Sequence, residues 1–121
     1  NSDIKDFITK AEIIQNAKVI NNNICLAYTK TETDNINIVI AQAADELLNI
    51  KEVEASFVLA RKDDRVFISA RSLGNINVHV LMENLGGGGH RDMAGAQLDT
   101  SLEKAYEMVK DTIQTCIKEE E

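Results

Sequence analysis

Four consecutive glycines, Gly86–Gly89, followed by His90, constrain this chain of 121 residues more than any other feature. Relative to alanine, each glycine in a regular element costs roughly 0.5–1 kcal/mol, so four together oppose helix or strand by about 2–4 kcal/mol. Set against a total stability of about 5–15 kcal/mol, such a run needs a physical reason. A single glycine after a helix serves as a left-handed cap, and Gly86 stands where that cap belongs. Gly87, Gly88 and Gly89 are left over. Consecutive glycines let backbone N–H groups turn to one side and let a ligand approach without meeting a Cβ. A phosphate fits that arrangement, with His90 at its rim as a further donor. No Lys-Ser/Thr pair follows, so the run is not a triphosphate-binding P-loop, and it lacks the strand and spacing of a dinucleotide G-x-G-x-x-G turn.

Charge narrows the class of ligand. The chain carries −7 overall, which opposes a surface that coats long nucleic acid. Residues 61–91 depart from that balance: Arg61, Lys62, Arg65, Arg71 and Arg91 face only Asp63, Asp64 and Glu83, a local net of +2. The rest of the chain therefore carries −9. The glycine run closes the one cationic segment, where a small anion is the expected partner. No stretch of about 18 apolar residues is present, so no membrane-spanning helix is expected. Cys25 and Cys116 lie far apart in apolar contexts, without a C-x-x-C partner or neighbouring histidine. They read as reduced core thiols of a cytoplasmic domain, a disulfide or nucleophilic role being the lesser alternative.

Periodicity divides the chain into alternating helices and strands. Ile4, Phe7, Ile8, Ala11 and Ile14 recur near helical spacing and predict a helix over 3–15. Two short strands, 17–20 and 24–29, flank the turn-forming Asn21–Asn23. Asp34 is placed to cap a helix over 35–48, whose Ile36, Ile40, Ala43, Ala44 and Leu47 form an apolar stripe. The runs 53–60 and 65–72 predict a hairpin about the intervening Arg-Lys-Asp-Asp. A short helix over 77–85, a strand near 94–99 and a final helix opened by Thr100 with Glu103 as a capping box complete the pattern. The expected architecture is one α/β domain, a mixed sheet of about five strands packed by helices.

Beside the glycines, Arg71 and Ser72 end a strand and Gly74 turns the chain into the next helix. Strand ends and helix starts collect anions in α/β folds, and an arginine fork with a serine hydroxyl suits phosphate oxygens. An edge arginine in a surface ion pair beside a turn serine is the plain alternative. His79 reads as an ordinary helix residue. With two histidines and no Asp/His cluster, the sequence offers no metal site.

Taken together, "SARSLGNINV" and "LMENLGGGGHRDMAGAQL" resemble the DHH-associated domain, the C-terminal half of Asp-His-His (DHH) phosphoesterases. The whole string, with "AEIIQNAKVI" and "IAQAADELL", is most similar to the membrane-anchored cyclic-di-AMP phosphodiesterases of Gram-positive bacteria. The resemblance covers about residues 11–118. It implies that residues 1–15 are a helical linker from an upstream catalytic domain and that 16–121 form the substrate-binding domain. It further implies two Mn²⁺ ions in that upstream DHH domain, opening of cyclic-di-AMP to linear pApA, and a parent protein anchored in the cell membrane, with a homodimer one possible assembly. Arg71, Ser72, Gly86, Gly87, Gly88, Gly89 and His90 fall on substrate-binding positions of the family, with Asn77 and Ser69 weaker candidates nearby. No Asp-His-His tripeptide occurs in the chain, so no catalytic residue is assigned to it. Three alternatives stay open: the same lobe in an oligoribonuclease or 3′-phosphoadenosine phosphate phosphatase, a nucleic-acid-binding appendage of the kind that ends alanyl-tRNA synthetases, and a pure dimerisation module.

Overall fold

The hairpin expected about Arg61–Asp64 organises the sheet. The computed structural model of the chain describes residues 2–120, and within it strands β3 (Ala55–Lys62) and β4 (Arg65–Ser72) pair antiparallel along their full length. Asp63 and Asp64 join them with φ of 51° and 64°. Two left-handed residues give the turn whose twist matches the strands, and aspartate tolerates that region better than most side chains. β3 is buried on both faces over its first six residues, which explains its unbroken apolar run.

The other strands assemble on either side of this pair. β1 (Lys18–Ile20) and β2 (Ile24–Thr29) form an antiparallel ribbon, and β2 runs parallel to β3. Beyond β4 lie β6 (Met93–Leu98) and β5 (Gly88–Gly89), both antiparallel to their neighbours. The six-stranded mixed sheet has the order β1-β2-β3-β4-β6-β5. The sixth strand is made from the glycine run, which carries no strand propensity to betray it.

Helices cover the two faces unequally. α3 (Val78–Glu83) and α4 (Leu102–Glu120) close one face over Leu26, Phe57, Leu59, Val66 and Ile68. α1 (Ser2–Gln15) and α2 (Ile36–Leu47) pack on the other, around Ile13, Ile36, Ile40, Ala43, Ala44 and Val58. The small residues of α2 bring it close enough for the Ser56 hydroxyl to donate to the Ala44 carbonyl at 2.6 Å. Cys25 and Cys116 are free thiols in different clusters, on opposite faces of the sheet. Burial pushes the Cys25 thiol up from its ordinary value.

α1 turns most of its apolar stripe outward, and two cap assignments are corrected. The buried side of α1 carries Thr9 and Ile13, whereas Ile4, Phe7 and Ile8 are 64%, 68% and 51% exposed and Ala11 also faces out. Asp34 does not cap α2: Asn35 occupies that position without a side-chain cap bond, its amide turned to Asp6 on α1. At α4 the cap is Ser101, whose Oγ accepts from the Lys104 N–H at 3.1 Å, one residue later than expected.

Candidate functional site

The glycines resolve into separate roles. Gly86, at φ +86°, ends α3: its N–H donates to the Glu83 carbonyl and that of Gly87 to the Met82 carbonyl. That pair of bonds is a Schellman cap. Gly87 and Gly89 lie against β6. A Cβ on Gly87 would run into the Gly95 carbonyl and Ala96, and one on Gly89 would stand 2.6 Å from the Ala94 Cα. Gly88 differs. Its φ is unexceptional, and a Cβ there would meet nothing within 4 Å. The fold explains three glycines and leaves Gly88 without a packing reason.

Strand register places Gly88 in a row with Gly95 and Ser69 across β5, β6 and β4. Paired residues share a face, and alternation puts Phe67 and Arg71 of β4 on the face of Ser69. This is the α2 side of the sheet. α2 lies over β3 and β4 and leaves the β6–β5 end open, where a cavity of about 480 Å³ is lined by Asn37, Ile40, Phe67, Ser69, Gly86, Gly87, Gly95 and Gln97, among others. Ser69 and Gly95 give that cavity a floor with almost no side chain, Gly86 and Gly87 line its edge, and Gly88 continues the row beyond it. A Cβ at Gly95 would stand 2.7 Å from the Ile68 carbonyl, so its glycine has a packing reason as well.

Arg71 stands at one end of this floor. Its Nε donates to Asp45 Oδ1 of α2 at 2.9 Å, and its Nη1 to the Ala70 carbonyl at 2.9 Å. The side chain is only 12% exposed, while Asp45 is 59% exposed. Two anchors fix the guanidinium plane, and Nη2 keeps its donors unengaged among the described residues. The ion pair that the sequence offered as the plain alternative is therefore present, and it orients the fork without using all of it.

His90 begins the turn from β5 to β6, closed by its N–H to the Met93 carbonyl at 2.7 Å; its side chain is exposed. Ser72 and Asn77 serve the backbone. The Ser72 hydroxyl accepts from the Gly74 N–H at 2.9 Å. The Asn77 side-chain oxygen accepts from His79 and Val80 N–H, capping α3. Arg71, Ser69 and Gly88 thus share the open face, with His90 at its hairpin end, whereas the oxygens of Ser72 and Asn77 are engaged in local turns.

Sequence reasoning missed two contributors. Arg91 donates from Nε to the Gly74 carbonyl at 2.6 Å, and the Arg91 carbonyl accepts from the Val78 N–H at 3.0 Å. With the Ser72 N–H on the Asp92 carbonyl, these bonds tie the His90–Met93 turn to the loop after β4. Asp45 is the other, and only the fold brings it within reach of Arg71. Among the described residues no three His, Cys, Asp or Glu side chains are grouped to hold a metal ion. The donor set for a metal pair does not fit this lobe, and no step through a metal is derived for it.

Known proteins share this sequence and fold. The DHHA1 domain profile matches residues 21–119. The chain is 43% identical over 114 residues to the cyclic-di-AMP phosphodiesterase GdpP of Bacillus subtilis, covering 91% of this chain and 17% of that protein. It is 38% identical to the cyclic-di-AMP phosphodiesterase PdeA of Listeria monocytogenes, covering 85% of this chain and 16% of that one. An exopolyphosphatase-related protein from Bacteroides fragilis superposes with a TM-score of 0.79 at 21% identity, covering 91% of this chain and 34% of that chain, which shows the shared fold. A profile match that begins after α1 and β1 and takes in the glycine run, its hairpin and α4 settles the family: the chain belongs to the DHHA1 domain family.

Proposed function

We propose that this chain is the substrate-binding lobe of a phosphodiesterase that opens cyclic-di-AMP to linear pApA. The observation that carries the site is Gly88: open space above a glycine that the fold does not require, on the sheet face that also carries an anchored arginine. The identity to GdpP and PdeA supports the choice of nucleotide. In this reading Arg71 offers Nη2 to a phosphate oxygen, Asp45 and the Ala70 carbonyl hold its plane, and the nucleotide lies on the Ser69–Gly95–Gly88 floor. His90 adds a donor at the hairpin end. Residues 1–15 lead from an upstream DHH domain, whose two Mn²⁺ ions supply the activated water. A membrane-anchored and dimeric parent enzyme belongs to the same proposal. Among the described residues themselves, no helix is long and apolar enough to cross a membrane.

Calorimetric titration with cyclic-di-AMP, pApA, 3′-phosphoadenosine phosphate and a short RNA ranks the substrates. Arg71→Ala should lose about 1.5–3 kcal/mol of binding, the range for a charge-assisted hydrogen bond. Gly88→Ala should lose most binding while its melting temperature stays level, because the new methyl enters the ligand's space and not the protein's. Nucleotide binding by both variants at wild-type strength would show the site to lie elsewhere.

A further inference from the structure

The floor beside Arg71 continues along β4 to a second polar end. From Arg71 back to Phe67 is four residues, roughly 13 Å of strand. At the Phe67 end the cavity is walled by Asn37 of α2 and Gln97 of β6. Gln97 is held in one orientation: its Oε1 accepts from Arg65 Nη1 at 2.8 Å, and Arg65 is itself fixed by Asp99 through Nε at 2.8 Å and Nη2 at 3.3 Å. That bond assigns the amide, so Nε2 keeps its two donors for a ligand. The carboxamide of Asn37 has no hydrogen-bond partner among the described residues, and it offers one acceptor and two donors.

We infer that Asn37 and Gln97 form the base-reading end of the site and that Asn37 selects adenine. This rests on the phosphate placement proposed above. A carboxamide presents a donor beside an acceptor, which matches the N6 amino group and N7 of adenine. The corresponding edge of guanine presents two acceptors, O6 and N7, so the carboxamide oxygen would face a lone pair. Gln97 adds a fixed donor for a ring nitrogen of the same base. The half-buried Phe67 gives this end an apolar wall, and the small residues of the floor let a flat ring lie close to the sheet.

The test is calorimetric titration of the 121-residue chain with pApA and with pGpG, for wild type, Asn37→Ala, Gln97→Leu and Arg71→Ala. Wild type should bind pApA the more tightly, and Asn37→Ala should weaken pApA by roughly ten-fold while leaving pGpG almost unchanged, the loss of one bidentate base contact. Gln97→Leu should weaken pApA by less. Arg71→Ala should weaken both dinucleotides by the same factor, keeping their ratio. If Arg71→Ala weakens both and Asn37→Ala leaves the ratio where it was, the base-reading assignment is overturned and the phosphate site stands. If Arg71→Ala changes nothing, or wild type binds neither dinucleotide, the phosphate site fails and this inference fails with it. Thermal melts of each variant separate these outcomes from loss of fold.

Discussion

At the scale of single residues, adjacent glycines of one run are glycine for different reasons. Alanine at Gly87 or Gly89 meets the backbone of β6, and Gly89 in addition sits at φ +143°. Both substitutions should destabilise, by about 1–3 kcal/mol for overpacking and more at Gly89 where strain adds. Gly88→Ala should sit within about 0.5 kcal/mol of wild type, or slightly above it through the unfolded chain. Urea unfolding of the three variants checks the order directly. A Gly88→Ala loss as large as that of Gly87→Ala would remove the structural case for a ligand above Gly88. The sequence showed that four glycines needed a reason and pointed to an anion. It could not divide the run, because the division depends on which residues of β6 lie underneath. Arg71 is a similar case. Its chemistry was legible, but its anchor Asp45 lies 26 positions away and becomes a neighbour only when α2 packs on the sheet.

At the scale of elements, strands and helices were legible where side chains alternate or recur, and boundaries shifted where two capping residues stand together. Thr100 and Ser101 both suit a cap, and the structure uses Ser101. Ser101→Ala should therefore cost about 1 kcal/mol, and Thr100→Ala clearly less, as read by chemical denaturation. Equal losses would mean that the two hydroxyls share the cap. The same ambiguity of one residue placed Asp34 at the start of α2, where Asn35 stands without a side-chain cap bond. Topology was less accessible. The runs for β2 and β3 were visible, but their parallel pairing across α2 is a property of the crossover, and β5 had no sequence pattern at all. Helical spacing also identified α1, but not which side is buried: Thr9 and Ile13 turn inward with Ile14 packed beside them, while Ile4, Phe7, Ile8 and Ala11 face out.

At the scale of the whole molecule, the outward stripe of α1 separates what the lobe needs for itself from what it presents outward. The two clusters of the core close around Ile13 on one side of the sheet and α4 on the other, and neither includes Ile4, Phe7 or Ile8. α1 is fastened by other contacts: the Lys10–Glu46 ion pair at 3.2 Å, and the Asn35 amide on Asp6 at 3.1 Å. Exposed ion pairs contribute little, so Ile13 is the anchor that matters. Truncating Ile13 to alanine should lower stability by about 2–5 kcal/mol, as for a buried aliphatic side chain. Replacing Phe7 with glutamate and Ile8 with lysine should change it by no more than about 0.5 kcal/mol, since little apolar area leaves water there on folding. Thermal and urea unfolding of the 121-residue chain measure both. The double variant then asks a second question of the parent enzyme. If residues 1–15 join the lobe to a catalytic domain, the outward stripe is the side of α1 free to meet it. Hydrolysis of cyclic-di-AMP by the full-length protein should then fall while nucleotide binding by the lobe alone is unchanged. A double variant that unfolds the lobe would contradict the burial of α1 described above. One that leaves both the lobe and full-length hydrolysis untouched would show that the stripe has no part in joining the two domains.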